Sequence, residues 1–267
     1  MDKKFLINLH WLLSSQFGID PQRFLRSLCG LPQFFSDWRM FRRDYTGRLT
    51  WKPCLHDRFE EGGSTKSEYF WQDLLVARWI CTAQPAKHVD VGSRVDGFVA
   101  HVASFREIEV FDVRPITADI PGVVFKQADL MQGESVKKFA GKGGYCDSLS
   151  CLHALEHFGL GRYGDPINAQ GFQHGLKNMA SLLKENGRFY LSVPIGIDRV
   201  EFNANRVFDP RIIIELALQN SLKYSALMVI RQGGSIEEFV IDDIHLSELA
   251  CQQYALGIFV FIKESYG

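Results

Sequence analysis

Residues 88–97 read His-Val-Asp-Val-Gly-Ser-Arg-Val-Asp-Gly, and Asp112 follows 20 positions after the first glycine of this stretch. The first four residues are apolar apart from one histidine and Asp90, which predicts a short buried strand that turns at Gly92 into a helix. In a sheet of parallel strands, ligands bind outside the carboxyl ends of the strands, beside such a turn. An acidic residue about 20 positions further on can accept hydrogen bonds from ribose hydroxyls. The stretch therefore predicts a nucleoside-binding site on an α/β fold.

Strands and helices alternate through the rest of the chain after residue 85, which is typical of a parallel sheet with helices on both faces. The predicted strands are 88–91, 108–112, 123–125, 146–152, 188–193, 227–231 and 255–263. We therefore expect an α/β fold with a doubly wound, mostly parallel, seven-stranded Rossmann-like sheet.

The first part of the chain differs in composition. All five tryptophans lie before residue 80, and the predicted strands begin only after it. Asp20-Pro21 can begin a helix that Gly30-Leu31-Pro32 would end, and Ser67 can cap a second, amphipathic helix. We therefore expect two parts. Residues 1–80 form a helical, aromatic-rich extension or lid, and residues 81–267 form the ligand-binding α/β domain.

Composition limits the classes of function. The 267 residues include 30 Lys and Arg against 31 Asp and Glu, for a formal net charge of −1, and 46% are hydrophobic, as in a soluble globular protein. This balance argues against a nucleic-acid partner and favours a small or neutral substrate. Six cysteines without a CxxC spacing fit reduced thiols in the cytoplasm. The apolar run at 255–262 is too short for a membrane span, and no cleavage site follows the Lys3-Lys4 start. We expect a cytoplasmic protein with no membrane span, and the sequence assigns no oligomeric state.

Two nucleosides compete for the glycine turn. A dinucleotide such as NAD requires G-x-G-x-x-G, in which the middle glycine lets the backbone approach the pyrophosphate, but here that position is Arg94. Asp90 would repel a pyrophosphate and would attract an ammonium group, such as the amino acid end of S-adenosylmethionine. The residues therefore favour S-adenosylmethionine. The alternative is an ordinary strand–helix turn without a ligand, in which Asp90 only accepts hydrogen bonds from backbone amides.

The motif resembles that of the class I S-adenosylmethionine-dependent methyltransferases, acidic-x-Gly-x-Gly-x-Gly. Asp90 and Gly92 match it, whereas Arg94 and Asp96 replace the second and third glycines. The resemblance implies that Asp112 binds the ribose and that the aspartate of 127–130 faces the adenine amine. A Leu-Glu-His triplet after the fourth strand also recurs in that superfamily. The implied cofactor is S-adenosylmethionine, and the implied cofactor-binding residues are Asp90, Gly92, Ser93, Arg94, Asp112, Asp129, Leu130 and Cys151.

Longer strings resemble a narrower methyltransferase-like family of bacterial surface-polysaccharide gene clusters. The strings lie at 69–74, 90–94, 157–166, 192–196 and 200–206, and the resemblance covers most of residues 60–210. The resemblance implies that the reaction is an O-methylation and that the acceptor is a sugar or glycan precursor. Asn205 stands where relatives are expected to have histidine, so the resemblance implies no acid or base role for that position.

A second group of polar residues follows the fourth predicted strand, in Cys151-Leu-His-Ala-Leu-Glu-His. For an acceptor hydroxyl, His153 or His157 can take the proton, and Glu156 can orient one of them. The alternative is that these side chains only cap the next helix or contact the cofactor. His-x-x-Glu-His is also an inverted zinc-peptidase pattern, in which two histidines one helical turn apart bind zinc. We expect methyl-transfer chemistry and no metal.

Two polar loops complete the predicted site. The glycine-rich loop after His157 is too polar for a core, and long loops on a rigid sheet often bind ligands. The predicted substrate-binding residues are Arg162, Tyr163, Asp165, Glu201, Asn203, Asn205 and Arg206. A solvated connection is the simpler interpretation of both loops. Because two motif glycines are replaced, a catalytically degenerate binding module also remains an alternative to an enzyme.

Overall fold

The computed structural model describes residues 9–63, 65–139, 141 and 143–265; the Lys3-Lys4 start lies outside these ranges. The chain divides into two compact units between residues 64 and 65. The sequence predicts this boundary near residue 80, later in the chain than the structure places it. The reason is that helix 68–83 packs on the sheet, where Val76 and Ile80 are fully buried in one cluster with Val110.

The first unit is built on helix α1 (Pro21–Asp44). Asp20 caps it by accepting hydrogen bonds from two backbone amides of the first turn, as the sequence predicts. The helix continues through Pro32, so the predicted end at that proline is wrong. The half of the helix beyond Pro32 is held by aromatic packing, because Phe35 and Trp38 both contact the Trp51 ring edge-on with centroids 5.5 Å apart.

The second unit carries the sheet. Its strands are β1 (His88–Val91), β2 (Ile108–Asp112), β3 (Val123–Gln127), β4 (Cys146–Leu152), β5 (Leu183–Ile195), β6 (Arg199–Glu201), β7 (Asn205–Val207), β8 (Leu222–Ile230), β9 (Ile236–Phe239) and β10 (Ala255–Lys263). Its helices are α2 (Glu68–Ala83), α3 (Ala100–Ala103), α4 (Gly133–Lys137), α5 (Gly171–Leu182), α6 (Pro210–Gln219) and α7 (Asp243–Ala250), with a 3-10 turn at Leu155–His157.

The main sheet has the order β3-β2-β1-β4-β5-β10-β8-β9. The first five strands are parallel, and β10 runs antiparallel between β5 and β8. This arrangement confirms the mostly parallel, doubly wound Rossmann-like sheet. The sheet has eight strands rather than seven, because β9 adds a strand at its edge. The two adjacent glutamates of β9 interrupt the apolar pattern from which a strand is predicted. A separate two-stranded ribbon, β6–β7, follows β5.

The core positions the carboxyl ends of β1, β2 and β4 side by side. Alternate residues of β5 enter two different apolar clusters, with Phe189 and Leu191 in one and Tyr190 in the other, as expected for a sheet covered on both faces. In the parallel register, Asp90 lies opposite Val110 on β2 and Ser150 on β4. Within the described ranges, the helices are too short or too polar to cross a bilayer.

Candidate active site

The turn after β1 is held by Asp90. Its carboxylate accepts hydrogen bonds from the Ser93 amide at 3.0 Å, the Ser93 hydroxyl at 2.6 Å and the Ser150 hydroxyl. Asp90 is fully buried, and burial raises its pKa to about 6 although these hydrogen bonds oppose the rise. Gly92 has φ +71°, which glycine adopts without strain, and a Cβ there would approach Ala154 to 3.0 Å. Asp90 therefore shapes the turn from beneath it, through its hydrogen bonds to Ser93 and Ser150.

A cavity of about 350 Å³ opens beside this turn, at the carboxyl ends of β1, β2 and β4. Its volume lies in the range of small-molecule sites. The structure places these predicted residues on its wall: Gly92, Arg94, Asp112, Asp129, His153, His157, Arg162, Tyr163 and Asp165. The remainder of the wall includes residues that the sequence did not single out: Tyr69, Phe111, Val113, Arg114, Ala128, Met131, Ala154 and Phe158.

One end of the cavity carries two aspartates, Asp112 at the last position of β2 and Asp129 shortly after β3. Asp112, only 8% exposed, accepts hydrogen bonds from the Arg114 amide at 2.8 Å and from its guanidinium at 3.1 and 2.9 Å. Two of these bonds reach Oδ1 and one reaches Oδ2, so Oδ2 retains capacity for a further donor. The Asp129 carboxylate accepts a hydrogen bond from the Met131 amide at 2.9 Å. Apolar side chains such as Phe158 lie on the same wall and could contact a flat ring.

The other end carries His153, directly after β4. Its Nδ1 lies 2.7 Å from Glu156 Oε1, and its Nε2 lies 3.3 Å from Glu68 Oε1. The Tyr69 ring stacks on the imidazole with centroids 4.5 Å apart. His153 has φ +52°, which is uncommon for a residue with a Cβ, and its amide is held by the Ser192 hydroxyl at 3.1 Å. The ring is therefore held by Glu156 at Nδ1, by the nearby Glu68 carboxylate at Nε2 and by the stacked Tyr69 ring.

The two histidines of this end differ in charge. Burial alone would lower the pKa of His153, but Glu156 and Glu68 outweigh burial and raise it to about 9. The pKa of Glu156 is lowered, because His153 outweighs the effect of its burial. Burial lowers the pKa of His157, with Arg162 acting in the same direction and Glu156 opposing. At neutral pH, His153 is therefore a cation beside the Glu156 anion, and His157 is a neutral imidazole that can accept a proton.

The loop after His157 is organised by Asp165. Its carboxylate accepts hydrogen bonds from the amides of Gly159 at 2.8 Å, Gly161 at 3.2 Å and Tyr163 at 3.2 Å. Three amides use its oxygens, so Asp165 shapes the loop although it also lines the cavity. The Tyr163 ring stands edge-on to His157, with centroids 5.5 Å apart, and the Arg114 guanidinium carbon lies 4.2 Å from its centroid.

Several predicted residues lie away from the cavity wall: Asp90, Ser93, Leu130, Cys151, Glu156, Glu201, Asn203, Asn205 and Arg206. Leu130 and Cys151 do not line the cavity because they are buried in the core cluster. Glu201 pairs with Arg199 at 2.9 Å on the β6–β7 ribbon. Arg206 is 4% exposed and donates to the backbone carbonyls of Glu156 at 3.1 Å and of Phe158 at 2.7 Å. Its guanidinium supports from behind the turn that carries Glu156 and His157, so these donors are used by backbone carbonyls.

The zinc-peptidase interpretation does not fit this geometry. It requires two histidines on one α-helix, whereas His153 precedes a 3-10 turn and its Nδ1 faces Glu156 instead of a shared ion. Among the described residues, a group of three potential ligands close enough for one ion occurs at 56–60 in the first unit, and not here. There, the Nε2 of His56 accepts a hydrogen bond from Arg23 at 2.8 Å.

Sequence reasoning missed three polar residues of the site: Glu68, Tyr69 and Arg114. Tyr69 lies in one of the strings that carried the narrower resemblance, which could have indicated it. Arg114 follows Asp112 by two positions, a spacing at which a local carboxylate–guanidinium pair can form. Glu68 gives no local signal, because its partner His153 is far away in the sequence and only the packing of α2 brings the two together.

Solved structures with this fold include methyltransferases. A 1,6-didemethyltoxoflavin-N1-methyltransferase from Burkholderia thailandensis, solved with 1,6-didemethyltoxoflavin and S-adenosylhomocysteine, superposes with a TM-score of 0.51 at 13% identity, over 73% of this chain and 80% of that one. The N-methyltransferase NodS from Bradyrhizobium japonicum WM9, solved with S-adenosylhomocysteine, superposes with a TM-score of 0.51 at 14% identity, over 77% of this chain and 90% of that one. The chain therefore has the Rossmann-like fold found in S-adenosylmethionine-dependent methyltransferases.

The same fold also occurs in a protein of another activity. The (4+2)-cyclase SpnF superposes with a TM-score of 0.51 at 11% identity, over 77% of this chain and 86% of that one. A family described as "Caenorhabditis protein of unknown function, DUF268" matches residues 122–221. No curated protein sequence matches the chain. Function must therefore be argued from the site itself.

Proposed function

We propose that this protein is an S-adenosylmethionine-dependent methyltransferase. The observation that carries the proposal is the cavity itself, which joins a left-handed glycine turn after β1 to carboxylates after β2 and β3. The residues fit the cofactor. Gly92 lets the backbone approach a ligand, Asp112 Oδ2 can accept a ribose hydroxyl, and Asp129 can accept the adenine amine. The methyltransferases of the same fold, which contain S-adenosylhomocysteine, support this assignment.

We propose a hydroxyl as the methyl acceptor. When bound, S-adenosylmethionine supplies an electrophilic methyl group on a sulfonium, which leaves as a neutral thioether. The acceptor oxygen forms the new bond to carbon as the carbon–sulfur bond breaks, and its proton passes to the neutral imidazole of His157. Alignment of oxygen, carbon and sulfur supplies much of the acceleration. Tyr69 and His153 line the same cavity, where their rings stack with centroids 4.5 Å apart.

The proposed acceptor is a sugar or a glycan precursor of a bacterial surface polysaccharide. This finer proposal rests on the resemblance of the strings described above. The cavity is compatible with it, because Tyr163 offers a ring face and Arg162 offers donors beside His157. The proposed role of the first unit as a lid, and the cytoplasmic location, rest on the sequence alone.

A methyl-transfer assay tests the proposal. The purified protein is incubated with S-adenosylmethionine and a panel of nucleotide sugars, and products are detected by mass spectrometry as a gain of one methylene. We expect His157→Gln to lower kcat by about 100-fold or more, the usual contribution of a general base. The matched control His174→Gln, at an exposed histidine of α5, keeps the wild-type rate.

A second candidate is a binding module that holds the adenosyl ligand without turnover. It is favoured by Arg94 and Asp96, which occupy two motif glycine positions and pair with each other at 2.8 Å on the surface. This candidate predicts that S-adenosylhomocysteine binds and that no acceptor in the panel is methylated. Methylation of any acceptor, abolished by His157→Gln, excludes it.

A further inference from the structure

A line of polar contacts leads from α2 to the 3-10 turn at Leu155–His157. The Tyr254 hydroxyl donates to Glu68 Oε1, and the same oxygen lies 3.3 Å from His153 Nε2. On the opposite side of the ring, His153 Nδ1 lies 2.7 Å from Glu156 Oε1. His153 is thus an imidazole between two carboxylates, one from its own turn and one from a helix that begins 85 residues earlier in the chain.

Burial of these side chains strengthens the electrostatic interaction between the two carboxylates and His153. The side chains of His153 and Glu156 are 6% and 0% exposed, and that of Glu68 is 20% exposed, so solvent screens their charges weakly. Among the described residues, Glu156 Oε2 and His153 Nε2 lack a hydrogen-bond partner of good geometry. The Nε2–Glu68 contact is therefore an ion pair by distance, in which charge rather than directionality provides the attraction.

The charged and titratable groups that face His153 come from three parts of the chain. Helix α2 contributes Glu68, Tyr69 and Asp73, its own segment contributes Glu156 and His157, and Tyr254 acts through Glu68. Tyr69 stays protonated, because burial raises its pKa to about 12 with the two glutamates acting in the same direction. Two carboxylates thus lie beside one imidazole, and a positive charge on the ring stabilises both of them more than a neutral ring would.

We propose that Glu68 is a positioning residue of the active site: together with Glu156 it keeps the His153 imidazole charged and fixed, so that His157 is the imidazole left to accept the proton of the acceptor. The charge on His153 does not depend on the reaction, whereas the role of His157 rests on the methyl transfer proposed above. A fixed imidazolium also cannot act as a base, which resolves the choice between the two histidines of the turn.

The test is a side-chain NMR titration of the protein labelled with ¹³C-histidine, without any ligand. The His153 signal is assigned by its disappearance in His153→Gln. In the wild-type protein, we expect His153 to titrate near 9, well above an ordinary histidine. In Glu68→Gln, which preserves the shape of the side chain, we expect its pKa to fall by about one to two units, the usual effect of losing a carboxylate at this distance. The matched control Glu107→Gln, at an exposed glutamate before β2, leaves the value unchanged.

Several outcomes would overturn the proposal. A wild-type His153 that titrates at or below 6.5, the ordinary value for histidine, contradicts it without any variant, so it remains testable even if Glu68→Gln fails to fold. An unchanged His153 pKa in Glu68→Gln, or an equal fall in Glu107→Gln, also contradicts it. These readouts need neither cofactor nor turnover, so they stand apart from the assay of methyl transfer. If methyl transfer is observed, Glu68→Gln lowers kcat more at pH 8.5 than at pH 6.5, because the variant's His153 loses its charge in that interval.

Discussion

Replacing Asp112 by asparagine removes the negative charge at the end of β2 and preserves the shape of the side chain. In the structure, Oδ2 retains capacity for one further donor, which we assign to a ribose hydroxyl. A hydrogen bond to a charged group contributes about 1.5–3 kcal/mol, against about 0.5–1.5 kcal/mol between neutral groups. The difference of about 1–2 kcal/mol corresponds to binding of S-adenosylhomocysteine that is weaker by roughly 5- to 30-fold.

Titration calorimetry measures this effect directly. Protein stability should change little, because the Asp112–Arg114 ion pair involves a guanidinium side chain that is 48% exposed, and such pairs contribute about 0–1 kcal/mol. The matched control is Asp119→Asn, at an exposed aspartate of the loop between β2 and β3, and it should bind as the wild type does. The reasoning is refuted if Asp112→Asn binds S-adenosylhomocysteine with wild-type affinity, or if Asp119→Asn loses as much.

Three further predictions concern the turn and the units. Because the pKa of Asp90 is raised to about 6 in the folded protein, this carboxyl contributes less to stability as pH rises through that value. The free energy of unfolding of Asp90→Asn, measured in urea, should therefore rise by about 2 kcal/mol relative to that of the wild type between about pH 4.5 and 7.5. A difference between the two proteins that is independent of pH would contradict this. Gly92→Ala should lower stability by about 1–2 kcal/mol in thermal unfolding and weaken S-adenosylhomocysteine binding, because φ is +71° there, whereas Gly133→Ala, in open space, should do neither. A chain beginning at Thr65 should unfold cooperatively when followed by circular dichroism, and one beginning at Cys81 should not, because helix α2 belongs to the second unit. Equally cooperative unfolding of the two chains would refute the boundary at residue 64.

The sheet and the location of the site could be predicted from the sequence because both follow from local patterns. Alternating strands and helices fix a parallel sheet, and in such a sheet the residues that follow each strand meet at one edge. Gly92, Asp112 and Asp129 lie at the carboxyl end of a strand or within two residues of it, so their meeting at the cavity needs no knowledge of side-chain packing. The same argument brought His153 and His157 to this edge.

The remaining features depend on tertiary packing, which the sequence does not display. Pro32 lies inside a helix, against the local preference, because aromatic contacts beyond it hold the helix together. Asp90 accepts hydrogen bonds from two serines, because its strand position places its side chain beside Ser150 of β4 and beneath Ser93 of the turn. The sequence predicts Arg206 as a substrate-binding residue, and in the structure its guanidinium donates to the backbone carbonyls of Glu156 and Phe158. Glu68 reaches His153 only because α2 packs on the sheet.

A crystal structure of the protein grown with S-adenosylhomocysteine tests the central claim most directly. We predict density for the ligand in the cavity beside Gly92, with the ribose hydroxyls at Asp112, the adenine amine at Asp129 and the sulfur directed toward His157. Density for the ligand at another place, or a cavity filled by the protein's own side chains at saturating ligand, would contradict the assignment of this site.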